Sequence, residues 1–419
     1  MSTPTTIATP PPIDFSKWRN LPVILMVAGG LLAAIGFFTN RAQFGYSWLQ
    51  SFMFFLSLCV GGWFLVLVHH LFDASWSVPI RRINEQLAAV LPWMFLLFIP
   101  IAVLRRDIYP WLNMLAHGET DHALHAKSPL FSEAGFFIVS IVCFALWAFF
   151  TYALRSASLN QDKDGAPGWT VRMRWLSCFG IITFALSVTM GVIMWMKSLQ
   201  HEWFSTMYGV YYFAGSVWTT LATVYVLTMV FQRQGYLRGV VFEKQYYFIG
   251  SLFFAFTVFY AYIHFSQFFI IWNANIPEET FWYYIRTHNA WRQVGLVLIF
   301  GHFFVPFLSL LRIDAKLTFA VMVPMAIWAW LMHYTDMAFN VQPAIPADAI
   351  PGRNPALGPT LHWIDIGAFA FMLGFVSWRF FSNYFAHPPF PQRDPRMAEG
   401  LDVYVARISA ARVEPKVSH

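Results

Sequence analysis

Histidines and carboxylates recur in this chain inside stretches that are otherwise almost wholly apolar. An ionisable group in hydrocarbon is costly, so each such group is a functional candidate. His302 is the deepest, about 20 Å along the stretch 290–311 at roughly 1.5 Å per residue. His264 and Gln267 lie one turn apart in the stretch 245–272. Arg292 follows His288 by one turn at the start of 290–311. His333 and Asp336 are spaced i, i+3 at the end of 316–335, and His362 and Asp365 are spaced i, i+3 at the start of 360–382. Glu133 opens the stretch 131–154. At the opposite end of the spans, His69 and His70 close 47–72, and Asp73 follows at i+4 and i+3, where either imidazole could meet its carboxylate. Arg81, Arg82 and Glu85 come next.

Two chemistries fit these residue types. A histidine beside a carboxylate titrates near neutral pH, so the group from His69 to Glu85 could take up protons. Its plainer reading is an interfacial charge cluster that anchors a helix end. The groups from His264 to Asp365 fall in the outer halves of stretches seven to ten. If those stretches face one another, they could bind a quinone headgroup or lead protons outward. Taken singly, each is a bundle-interior residue with its hydrogen bonds satisfied. Tyr208, Tyr211, Tyr212, Ser216, Thr219, Thr220, Thr223 and Tyr225 form a hydroxyl series at helical spacing. Packing between helices is the default reading for most of them, and support of a water chain is the other.

The chain shows no means of holding a redox metal. Cys59, Cys143 and Cys178 each stand alone in an apolar stretch, and no C-x-x-C occurs. This argues against covalent haem, an iron–sulfur cluster or structural zinc. The loop 105–130 carries His117, Glu119, Asp121, His122 and His125, which could hold zinc. Their spacing fits no standard pattern, and a polar loop packed on a partner is the simpler expectation. The expected metal set is therefore empty. If the protein serves electron transfer, it can supply only a lipid-phase substrate site, a proton path or a scaffold.

The elements that carry these residues are membrane helices. Of 419 residues, 58% are hydrophobic and 11% charged, against about 25% charged in a soluble domain. Apolar segments recur at roughly 21–39, 47–72, 86–104, 131–154, 173–196, 207–231, 245–272, 290–311, 316–335 and 360–382, each long enough to cross about 30 Å of hydrocarbon. The expectation is an all-α integral membrane protein with about ten transmembrane helices in residues 21–383. A disordered tail (1–20) and a C-terminal tail (384–419) flank them. The first residues lack the pattern of a secretory signal. Lys and Arg divide 19 to 8 between the terminus side and the opposite side, summing to the 27 present. That bias puts both termini in the cytoplasm and accounts for the net charge of +6 without nucleic-acid binding. The run Arg81-Arg82-Ile83-Asn84-Glu85-Gln86 is echoed by Arg238 through Gln245. The echo suggests two four-helix bundles, spans 2–5 and 6–9, with helices 1 and 10 at the flank. The Pro-rich loop 337–358 should be extended and lie along another protein.

Several segments resemble a known family. Trp203-Phe204-Ser205-Thr206-Met207-Tyr208-Gly209-Val210-Tyr211-Tyr212-Phe213-Ala214-Gly215 and Phe265-Ser266-Gln267 through Glu278-Glu279-Thr280 are similar to the NrfD-like membrane subunits of bacterial alternative complex III, most of all the second, smaller one. Ala74 through Arg82, Gly301 through Phe307 and Asp394 through Glu399 add to the likeness, which covers most of the chain from about residue 45. The resemblance implies an integral subunit of a quinol:electron-acceptor oxidoreductase in the bacterial inner membrane, proposed to conduct protons and not catalytic alone. It implies multihaem cytochrome c and iron–sulfur subunits that carry the electrons, a larger NrfD-like sister that binds quinol, and surrounding lipids. A quinone or quinol site in this chain, and a cytochrome oxidase joined to the assembly, stay open. In the family, span seven often begins Asp-Leu-Gly-Lys-Leu; here the run is Phe248-Ile249-Gly250-Ser251-Leu252, so a path through those charges is lost or relocated. Two other readings stand beside this one: a structural anchor of the same complex, and a secondary transporter built on broken helices.

Overall fold

The computed structural model describes residues 16–347, 349–350 and 354–401, and every regular element among them is helical. Ten membrane crossings organise the chain: α1 (Ser16–Thr39), α2 (Arg41–Leu71), α3 in two pieces (Val78–Ala88 and Leu91–Val103), α4 (Glu133–Asp164), α5 (Pro167–Trp195), α6 (Tyr208–Arg233), α7 (Glu243–Ala274), α8 (Trp291–Leu298, continued through Ser309), α9 (Phe319–Val341) and α10 (Trp363–Phe385). Nine of these are long and apolar enough to cross a bilayer. The other, α9, has 23 residues, about 35 Å of helix, and is more polar because His333, Asp336 and Asn340 occupy its last turns. Helices are the expected solution, because each backbone polar group in hydrocarbon must find its partner within the segment. The ends are set by local chemistry. The Asn40 side chain accepts from Gln43 N at 3.0 Å to start α2, Ser132 accepts from Gly135 N at 3.0 Å to start α4, and left-handed Gly165 ends α4.

Two crossings are not continuous, as hydropathy alone suggests they would be. α3 breaks at Ala89–Val90, and Pro92 restarts it. α8 passes through a π-helical turn over Ile299–Phe304 before Pro306. Proline lacks the N–H that would reach back to the His302 carbonyl, and the widened turn absorbs that lost bond.

Helices α2 to α5 close one ring and α6 to α9 a second; α1 pairs with α10 along the flank. The rings meet where α2 packs on α6, the two most buried crossings. Gly61 makes this contact possible. A Cβ there would run into the Thr220 hydroxyl and come 2.8 Å from Ser216 O. Tyr212 Oη donates to Met53 O at 2.6 Å and Thr220 Oγ1 to Leu58 O at 3.2 Å, which ties the rings together. Large apolar side chains such as Ile141 and Phe149 on α4, Ile182 and Leu186 on α5, and Phe265 on α7 point outward, as lipid-facing surfaces require.

Residues 1–15 and 402–419 of the expected tails lie outside the described residues. The part of the C-terminal tail that is described, up to Leu401, does not hang free: Asp394 and Met397 are buried against the helices. The loop 337–358 is also unlike the extended strap expected. α9 continues to Val341, short 3₁₀ turns follow at Gln342–Ala344 and Pro355–Leu357, and Trp291 Nε1 donates to Pro355 O at 2.7 Å.

Gly61→Ala should destabilise the detergent-solubilised protein by about 1–3 kcal/mol, the usual cost of overpacking. Gly168→Ala, where a Cβ meets nothing within 4 Å, should shift thermal unfolding, followed by tryptophan fluorescence, by less than about 0.5 kcal/mol.

Candidate functional site: a buried polar cluster in the second ring

Four of the expected residues come together inside the second ring. His264 comes from α7, His302 from the π turn of α8, and His333 and Asp336 from α9; tyrosines of α6 and α7 join them. His302 is fully buried, with its ring stacked between Trp218 (centroids 3.8 Å apart) and Tyr260 (3.6 Å). Neither of its nitrogens has a hydrogen-bond partner. The π turn positions this side chain. Ser57 Oγ donates to Phe54 O at 2.6 Å, so His333 Nε2, 2.9 Å from that same oxygen, must be the donor of its pair. His333 Nδ1 is then an unprotonated nitrogen, and it too is unpartnered. Gly215 leaves room for the imidazole, since a Cβ there would sit 3.0 Å from His333 Cε1.

Asp336 is the centre of the hydrogen bonding. Its Oδ1 accepts from the Tyr211 hydroxyl and from Asn340 Nδ2 at 3.3 Å, while Oδ2 is unpartnered. Tyr208 donates to Asn340 Oδ1 at 2.9 Å, and Asn340 Nδ2 donates to the Tyr211 oxygen at 3.1 Å. Every donor in this series therefore points toward the carboxylate. Tyr211 and Tyr260 oxygens are 3.1 Å apart, and Tyr260 reaches the half-buried His264 Nδ1 at 3.4 Å. A proton can pass between hydroxyls and imidazole along Asp336, Tyr211, Tyr260 and His264. The amide of Asn340 is a poor relay and serves to orient. No cation pairs with Asp336 among the described residues.

At the end of the bundle where α9 closes, Arg286 is buried without a carboxylate partner among the described residues. Its guanidinium donates to Phe339 O (2.9 Å) and Asn340 O (3.0 Å), which caps the last turn of α9, and it lies 3.6 Å from the Trp282 ring centre. Cations are stabilised at helix C-termini in this way.

The residues at the end where α2 closes form a separate cluster. Glu85 accepts from Arg81 Nε at 2.9 Å and Arg82 Nη1 at 2.7 Å; Arg81 also pairs with Asp394, and Arg82 with Asp162. Burial pushes the Asp394 carboxyl up, but Arg81 and Arg396 hold it well below the ordinary range. His69 does not meet Asp73, contrary to expectation. α2 ends at Leu71, Asp73 turns into the left-handed region at φ 50, and its carboxylate pairs with Arg174 at 2.5 Å and Arg396 at 3.0 Å. His69 Nε2 instead faces the guanidiniums of Arg81 (3.1 Å) and Arg396 (3.3 Å), and Nδ1 faces Ser77 Oγ at 2.5 Å. Guanidinium is donor-only, so His69 is held as the Nδ1–H tautomer. The His70 ring packs on His69 with no hydrogen-bond partner.

The other expected residues stay apart. Glu133 pairs with Arg105 and Arg106 at the start of α4. Gln267 accepts from Ser205 at 3.3 Å, and Arg292 is exposed. Span ten does not join the cluster: Asp365 caps α10 by accepting from His362 N at 2.7 Å and binds Ser47 at 2.5 Å. The three loop histidines do not group either. The one trio of metal-capable side chains among the described residues is Asp121, His201 and Glu202. There His201 Nε2 is 2.6 Å from Asp121, and Lys127 sits against the His201 and Glu202 carbonyls. Tyr260 and Asn340 were not among the candidates; their offset from His264 and Asp336 by one turn was the available signal. Asp162 and Asp394 carried no local signal.

No protein-family model and no curated protein matches the chain.

Beside that trio, Lys197 is buried, and burial together with the facing Lys127 pushes its amine down to about 7. An unfolded lysine titrates near 10.4, so between about pH 7 and 10 the unfolded chain binds the extra proton and stability rises with pH. Lys197→Met should remove this slope. The variant should be more stable than the parent by on the order of a few kcal/mol at pH 6, with the gap closing towards pH 10 in thermal unfolding scans. Asp394→Ala leaves Arg81 with a buried, weakened partner set and should cost about 3–5 kcal/mol in the same assay.

Proposed function

We propose that this chain is a membrane subunit of a bacterial respiratory quinol:electron-acceptor oxidoreductase of the alternative complex III type, in the inner membrane with both termini cytoplasmic. Electron carriers reside in partner subunits, and this subunit exchanges protons within the bilayer. The observation that carries the reading is Asp336, a carboxylate buried inside a membrane helix bundle without a cation. It is joined by tyrosine hydroxyls to half-buried His264, and Tyr260 of that series stacks on His302. A group so costly to bury is retained where it moves protons. The lysine missing from span seven has a neighbour at the same level: Lys316, whose Cβ packs 2.9 Å from the Cβ position of Gly250 and whose ammonium lies 4.8 Å from the Phe254 ring centre.

The cytoplasmic cluster supports a scaffold role for that end of the subunit. From Ser57 to His69 α2 carries only apolar side chains over about 18 Å. The hydroxyls of Ser216, Thr219, Thr223 and Thr228 bond to carbonyls four residues back in α6. Those donors are spent within the helix. The exchange assigned to Asp336 therefore faces the outer side.

The subunit purified in mild detergent should carry haem-containing partners. In that assembly, reconstituted in vesicles, Asp336→Asn should lower protons released per quinol oxidised while haem content and subunit composition stay as in the parent. Isolation as a lone, active carrier, or an unchanged ratio in the intact variant assembly, would overturn the proposal.

A further inference from the structure

A groove of about 420 Å³ opens on the membrane face of the first ring, at the break in α3. Ala89, Pro92, Trp93, Phe95 and Leu96 of α3, Tyr152 and Arg155 of α4, and Arg379 of α10 line it. Its walls are apolar and exposed, with Trp93, Phe95, Leu96 and Tyr152 all open to the surroundings. Its charged content is two guanidiniums, with Thr151 beside them. Arg379 lies over the Trp93 ring at 4.0 Å, and Arg155 stands on the facing helix. The Nε atoms of both are buried and unpartnered, and neither arginine pairs with a carboxylate among the described residues.

This contrasts with four other arginines at that end of the bundle. Arg81, Arg82, Arg174 and Arg396 each have a carboxylate within salt-bridge distance. Depth adds to the contrast. Arg379 precedes the cytoplasmic end of α10 by six residues and Arg155 that of α4 by nine, or roughly 9 and 14 Å of helix. Two cations at such depth are costly unless an anion meets them. An inorganic ion has no reason to favour a site walled by tryptophan, phenylalanine and leucine. A phospholipid carries both parts, a phosphate for forked guanidinium donors and acyl chains for the walls. Basic pockets between membrane helices on the cytoplasmic side take such headgroups.

We infer that the groove binds an anionic phospholipid of the cytoplasmic leaflet, its phosphate held by Arg155 and Arg379 and one acyl chain laid along Trp93, Phe95 and Leu96. The lipid then seals the α3 break from outside. Arg155 also lines a small inner cavity with Glu85 and Trp63, so the same side chain separates the lipid from the buried ion network.

Native mass spectrometry of the full chain in detergent, titrated with phosphatidylglycerol or phosphatidylcholine, tests this. Phosphatidylglycerol should bind at least about tenfold more tightly than phosphatidylcholine, as expected of a charge-assisted contact. The preference should vanish in Arg155→Gln/Arg379→Gln and persist in Arg312→Gln, which alters an exposed arginine already paired with Asp314. Equal binding of the two lipids by the parent protein would overturn the inference even if the double variant failed to fold. So would an undiminished preference in the folded double variant.

Discussion

Inside hydrocarbon a polar side chain has no water to return to, so it must be answered by another part of the protein or of the membrane. That constraint orders this structure. Four of the nine hydroxyls of α6 turn back on their own helix. The guanidinium of Arg286 is answered by the last carbonyls of α9, and those of Arg81 and Arg82 by Glu85 one turn on and by two carboxylates from distant parts of the chain. Buried polar atoms without a partner occur in both rings, at His70, Gln86 and Arg155 in the first among others, and three side chains of the second ring, Asp336 (Oδ2), His302 and His333 (Nδ1), bring theirs to one cluster. Orphans gathered around a carboxylate and an aromatic-stacked imidazole suggest chemistry that needs a proton to arrive and leave.

The duplication of the fold makes the asymmetry between the rings informative. Both are built from four crossings and meet through α2 and α6. The first ring gathers a network of paired charges at the end where α2 closes. The second keeps its ionisable groups in the membrane, without counter-charges. The two irregular crossings follow the same division, since the α3 break faces lipid beside arginines and the π turn of α8 faces inward with His302.

Hydropathy made the ten crossings legible, because 20 consecutive apolar residues have few other uses. It did not reveal the α3 break, since Ala89, Val90 and Pro92 are as apolar as a continuous helix would be. The placing of His333 and Asp336 one turn apart and the depth of His302 were readable from spacing along one helix. Their meeting with Tyr211, Tyr260 and Ser57 was not, because it depends on which faces of five helices turn inward. His362 and Asp365 illustrate the opposite case. Their i, i+3 spacing is the signature of a helix cap as much as of an acid–base pair, and the cap is what they form. Asp73 was misread for a backbone reason, as a left-handed turn after Leu71 carries its carboxylate away from the imidazoles.

The Arg81–Asp394 pair joins residues 313 positions apart. At roughly 5–20 residues per second, a ribosome delivers the arginine on the order of tens of seconds before its aspartate. Arg82 waits only for Asp162, 80 positions on. During biogenesis the rim of the first ring therefore exists with Arg81 held by Glu85 alone while the second ring is still being inserted. Asp394 then supplies the second carboxylate, so closure of the rim is a late event that waits for the last described segment.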